Sequence, residues 1–266
     1  MGGHLHHAGH TTPGILIALV PVLAAVAYLW LVARARDRGP GGGRHRLRTA
    51  SFLGGCALLA VALLPPVTTA HGDFRHHMLQ HMIIGMYAPL ALVLGAPLTA
   101  LLRALPGGHA RRVTRLLRAR PARVLAHPVT ALILGTGSLG VLYFTPLYDA
   151  IAARPAAHWL LHAHFLASGY LFAWVVAGPD PAPARPGVRA RLVLLGVAVA
   201  AHATVAQLLY GGFLVHVHAP IPQLRDAAMI MYYGGDVAEL LLAAALVASW
   251  RPERSRLRVV RPGESW

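Results

Sequence analysis

"HMLQHMIIGMYAPLALVLGAPLTAL" occupies residues 77–101 and contains no Asp, Glu, Lys or Arg. A bilayer core is crossed by about 20 helical residues, so this stretch is long enough to span one. Working outward, six further apolar segments follow the same rule, at 14–33, 49–68, 127–148, 158–178, 191–212 and 227–249. The reading is therefore an all-α integral membrane bundle of seven transmembrane helices. Composition agrees: 56% of the 266 residues are hydrophobic, only 12% are charged, and the mean hydropathy of +0.54 is too high for a soluble domain.

The charges set an orientation. All 24 basic residues are arginine. Residues 34–48 carry six, 103–123 seven, 185–191 three and 251–266 five, against one each at Arg75, Arg154 and Arg225 in the alternate loops. This split of 21 against 3 places the N-terminus outside and the C-terminus in the cytoplasm. Arginine in blocks between apolar segments is also why the net charge of +15 points to a bilayer rather than to nucleic acid. The expected organisation is a His-rich external tail (1–13), a transmembrane domain (14–250) and a basic cytoplasmic tail (251–266). The first segment lacks a basic N-terminal flank and is expected to stay as a helix rather than act as a cleaved signal. "GGHARRVTRLLRARPARVLAHP" spaces Val113, Leu116 and Leu117 as an interfacial helix would. Pro89 and Pro97 should kink or end the third helix. A single cysteine, Cys56, rules out an intrachain disulfide and reads as a small buried apolar residue.

With sides assigned, the 17 histidines sort unevenly. Thirteen fall on the outer side: His4, His6, His7 and His10; His71, His76, His77 and His81; His158, His162 and His164; His216 and His218. His77 and His81 are four residues apart and share a helix face, as do His158 and His162. Met78 and Met82 form a second such pair, flanked by His76 and Gln80. His164 lies about 160° around the helix from His162, so the two cannot both point inward. His81 and His162 each sit about 8 Å inside the outer boundary, so the two pairs could converge on one ion. Imidazole with thioether and without thiolate favours copper over zinc. The expected metal ligands are His77, His81, His158, His162, Met78 and Met82. Secondary candidates are His76, Gln80, His164, His202, Asp236 and Glu239. The last two are ionisable residues inside an apolar span, and His202 lies at matching depth for a His–carboxylate pair. Met229, Tyr232, Tyr233, Asp236 and Glu239 are expected to form one stripe facing the bundle interior.

The stretch "HHMLQHMIIGMYAPLALVLGAP", with "HPVTALILGTGSLGVLYFTPLYDAIAARPAAHWLLHAHF" and "DAAMIMYYGGDVAELL", resembles the CtaG-type cytochrome c oxidase assembly factors over roughly residues 50–250. The resemblance implies a non-enzymatic bacterial plasma-membrane protein that helps mature a haem–copper oxidase, with oxidase subunits as partners and copper as the delivered ion. It carries over onto His77, Met78, Gln80, His81 and Met82, with His158 and His162. Two other readings rest on the same residues: a metal transporter using His202, Asp236 and Glu239 as a deeper relay, and a b-type haem protein with His81 and His162 as axial ligands.

Overall fold

The computed structural model describes residues 11–37, 45–64, 73–183 and 185–250. The tail histidines, His71, Pro65, Pro66 and the basic segment after 250 lie outside them. Among the described residues the chain is helical with no strand. The long helices are α1 (Thr11–Arg36), α2 (His45–Leu63), α3 (74–94), α9 (Pro155–Val176), α10 (Val188–Gly211) and α11 (Ile221–Ala248). These six are long and apolar enough to cross a membrane. Shorter helices lie between α3 and α9: α4 (Pro97–Ala104), α5 (Gly107–Leu117), α6 (Arg120–Leu125), α7 (Pro128–Tyr143) and α8 (Leu147–Ala152).

The expected segment 127–148 is thus a shorter helix, α7, ended by a turn at Phe144–Pro146 before α8 begins. Its sequence was apolar enough, but Pro146 cannot continue the helix because it has no N–H to donate. The expected segment 77–101 also divides. Ala96 takes a left-handed backbone (φ 52°) and Pro97 starts α4. The cap for α4 comes from far along the chain. The carboxylate of Asp180 accepts from the backbone N–H of Leu98 (2.9 Å) and Thr99 (2.8 Å), satisfying donors that the helix itself leaves orphaned. Arg185 then donates to the carbonyls of Asp180 and Trp174 (both 2.7 Å), and Arg191 to that of Val176 (2.9 Å). The C-terminus of α9 is thereby closed by two cations, where the helix dipole favours them. Burial pulls the Arg185 guanidinium below its ordinary pKa. The expected interfacial segment is helical as α5 and α6, with no buried residue in either.

Both α3 and α7 contain a widened turn in which the backbone N–H reaches five residues back, Ala88 to the Ile83 carbonyl and Ser138 to that of Ile133. In α3 the cause is local. Pro89 has no N–H for the Gly85 carbonyl, its ordinary helical acceptor. The Gly85 carbonyl faces Gly169 of α9 so closely that a Cβ there would collide with its oxygen. In α7, Ser138 Oγ donates to the Leu134 carbonyl (2.7 Å). These turns set the separation of α3, α7 and α9 around the histidines.

The polar stripe expected on α11 is not one face. Met229 and Tyr233 are 46% and 63% exposed, whereas Met231, Gly235, Ala238, Glu239 and Leu242 are buried. Lipid and bundle interior are both apolar, so a Met or Tyr sits equally well toward either.

Candidate functional site

The histidines within the bundle stand in two groups. In the first, termed outer after the side expected from the arginine bias, His77 of α3 faces the partly buried His158 of α9 with ring centroids 6.2 Å apart, and His158 lies 4.6 Å from His162 on its own helix. The i, i+4 spacing produces the second contact and the packing of α9 on α3 the first. Three aromatic rings enclose His77: Phe74, Tyr143 and Tyr148, at 5.6, 6.0 and 4.7 Å. Its Nε2 is 3.1 Å from the Tyr143 hydroxyl. The other ring nitrogen of His77 and both of His162 are buried without a hydrogen-bond partner. Buried polar atoms are normally satisfied, so three orphaned nitrogens in one place suit ligation of something polar. His162 also borders an apolar cavity of about 540 Å³ between α1, α2, α3 and α9.

His81 does not join this group. Its ring packs on Phe165 (4.3 Å) and faces His202 of α10 (6.4 Å). Phe165 also lies 6.1 Å from His77, so one phenyl ring touches both groups. The four-histidine convergence expected from depth is therefore divided. Depth matching fixed height along the helices but carried no information on which residue of α9 occupies the space between. His202 in turn lies 3.7 Å from Glu239 of α11, the His–carboxylate pair expected from the sequence. The His202 ring rests directly over Gly235, where a Cβ would strike it. His81, His202 and Glu239 line a cavity of about 70 Å³ together with Ser168, Thr136 and the glycines of both widened turns, Gly85 and Gly135.

The remaining candidates have other partners. Met78 and Met82 are in the hydrophobic core, and the Met82 sulfur packs against Gly234. Gln80 donates to the Ala62 carbonyl (3.1 Å), tying α3 to α2. His164 bonds Ser138 Oγ (3.0 Å), on the side away from His162 as spacing required. His76 is exposed near Asp73 (3.6 Å). His216 contacts the Leu214 carbonyl and His218 pairs with Asp149, both at the surface. Asp236 is half-buried on α11 and does not line the cavity. Sequence reasoning missed Tyr143, Tyr148 and Phe165, since an aromatic ring in an apolar helix gives no periodic signal of its own.

Among the described residues, no three His, Cys, Asp or Glu side chains form a ready metal cage. A two-donor arrangement is less demanding. An imidazole nitrogen binds a metal at about 2 Å, so two rings sharing one ion have centroids about 5 to 6.5 Å apart. The pairs His77–His158 and His81–His202 fall in that range. Monovalent copper accepts two nitrogen donors, so it fits the donors present better than an ion that demands four.

The family model for the cytochrome c oxidase caa3 assembly factor matches residues 26–253. Uncharacterized proteins of Mycobacterium bovis and Mycobacterium tuberculosis are each 37% identical over 197 residues, covering 71% of this chain and 29% of the relative. One from Mycobacterium leprae is 36% identical over 194 residues, with 70% and 29% covered. The chain spans under a third of the length of these relatives. No solved structure matches it.

Proposed function

The chain belongs to the cytochrome c oxidase caa3 assembly factor family, and from that premise we propose that it loads copper into a haem–copper oxidase during assembly. The ion is cargo, bound at His77, His158 and His162 and passed to an oxidase subunit. One observation carries this reading: the three imidazoles follow one another at 6.2 and 4.6 Å, and Nδ1 of His77 and both nitrogens of His162 are buried with no hydrogen-bond partner. Histidine ligands exchange faster than a thiolate cage would, which suits transfer rather than storage. Under this reading α7 and α8 complete a seventh crossing, and the arginine bias of 21 against 3 puts the outer group on the non-cytoplasmic side of a bacterial plasma membrane. The enclosure of His77 by Phe74, Tyr143 and Tyr148 keeps bulk water from competing for the ion. The role is non-catalytic, and the partners are oxidase subunits and lipid.

The test is copper content of the purified protein in detergent, wild type against His158→Ala/His162→Ala. Wild type should retain Cu(I) against a chelating competitor, and the double variant should lose the outer ion. Equal copper in both proteins would refute the outer site. A strong Soret band in the purified protein would replace copper by haem.

A further inference from the structure

The outer group leaves a second set of polar atoms unexplained. Both ring nitrogens of His81 and Nε2 of His202 are buried with no hydrogen-bond partner. These residues are 4% exposed each, and Glu239 is 7% exposed. Buried polar groups left unpaired in an apolar interior are costly, so a site that keeps them unpaired suits an occupant. The cavity they line, about 70 Å³, has room for an ion with water, since about 10–15 Å³ of such space holds one water. Apart from the hydroxyls of Thr136 and Ser168, its other walls are small or apolar, among them Gly85, Gly135, Gly169, Ala238 and Phe165.

We infer that His81, His202 and Glu239 form a second, inner station for a soft monovalent metal ion, separated from the outer histidines by the Phe165 ring. This rests on the copper reading above and extends it from one site to two. The geometry supports a two-imidazole arrangement, with ring centroids 6.4 Å apart. Glu239 lies 3.7 Å from His202 Nδ1, so its charge favours a proton on that nitrogen and leaves the partnerless Nε2 as the donor for the ion. Gly235 gives the ring its seat on α11. The Phe165 ring lies 4.3 Å from His81 and 6.1 Å from His77, so it is the side chain that stands between the stations. The ion changes ligands without changing oxidation state, and no bond other than metal–nitrogen is made or broken.

The test is a titration of the full-length protein in detergent with Cu(I), under anaerobic reducing conditions and against a chromophoric chelator. Wild type should bind two equivalents. His202→Gln should bind one, and His158→Ala should bind one at the other station. Glu239→Gln preserves volume, should keep the fold, and should weaken the inner ion about 10-fold or more. If His202→Gln fails to fold, Glu239→Gln decides the matter. A wild type holding a single ion, indifferent to His202→Gln and Glu239→Gln, overturns the inner station and leaves the outer reading intact. A single ion lost in His202→Gln but kept in His158→Ala upholds the inner station and removes the outer one. No bound copper in wild type overturns both.

Discussion

Replacing Gly169 by alanine tests the packing on which both groups of histidines depend. A Cβ at this position would overlap the Gly85 carbonyl oxygen, and would lie 2.8 Å from the Gly85 carbonyl carbon and 3.1 Å from Pro89 Cγ. Carbon contacts are favourable near about 3.5–4.0 Å. The obstacle is backbone, so no rotamer change relieves it, and α9 must move away from α3 by about an ångström. Overpacking costs about 1–3 kcal/mol, and rigid neighbours put Gly169→Ala at the upper end. At about 2–4 °C per kcal/mol for a chain of this size, the melting midpoint should fall by about 6–12 °C. Ligand bonds tolerate only about 0.2 Å, so the same displacement should weaken outer-site copper by about 10-fold or more. Gly196→Ala is the control. Nothing lies within 4 Å of a Cβ there, and the exchange in mid-helix should be neutral or stabilising by about 0.5–1 kcal/mol. Thermal unfolding of the three proteins in one detergent, followed by circular dichroism, checks the reasoning. Equal midpoints for Gly169→Ala and wild type would refute the close approach of α9 to the Gly85 carbonyl.

Gly235→Ala meets a side chain rather than backbone. It should stay folded, displace the His202 ring and abolish the second copper equivalent while sparing the first, as read by chelator competition. Asp180→Ala removes the distant cap of α4, and because Asp180 is 1% exposed the loss should reach about 2 kcal/mol, the top of the capping range, visible as a lower unfolding midpoint; Asp180→Asn should be milder. Asp73 caps the start of α3, and its hydrogen bonds with Arg75 hold its carboxyl at about 2. A depressed carboxylate stabilises above the ordinary carboxylate range and loses that contribution as pH falls through about 2. Protection of the amides in the first turn of α3, relative to their intrinsic exchange rates, should therefore fall between about pH 4 and pH 2 in wild type and lack that dependence in Asp73→Asn.

The sequence identified six of the seven expected spans as long helices and anticipated two of the decisive pairings, one from local spacing and one from matched depth. His158 and His162 meet through one helical turn, and His202 and Glu239 through depth within the membrane. It did not separate His81 from His77, because that depends on Phe165 reaching across from α9. It also misjudged α11, where hydropathy cannot tell a lipid-facing surface from a protein-facing one. The division at Ala96 was expected from Pro97, but not that Asp180, over 80 residues on, would complete the helix start. A cap held by tertiary structure leaves no local sequence pattern.

The widened turn at Ile83–Tyr87 also bears on chain length. Such a turn accommodates one residue more than regular helix, and each residue advances a helix by about 100°. Deleting one residue there would let α3 close into ordinary turns without shortening the span appreciably. His77 and His81 would keep their facing relative to the part of α3 that follows, because the widened turn already absorbs the extra residue. A gap of one in a regular part of α3 would instead swing them by about 100°. A homologue with the gap at the widened turn is therefore expected to keep both the bundle and the side chains presented to α9.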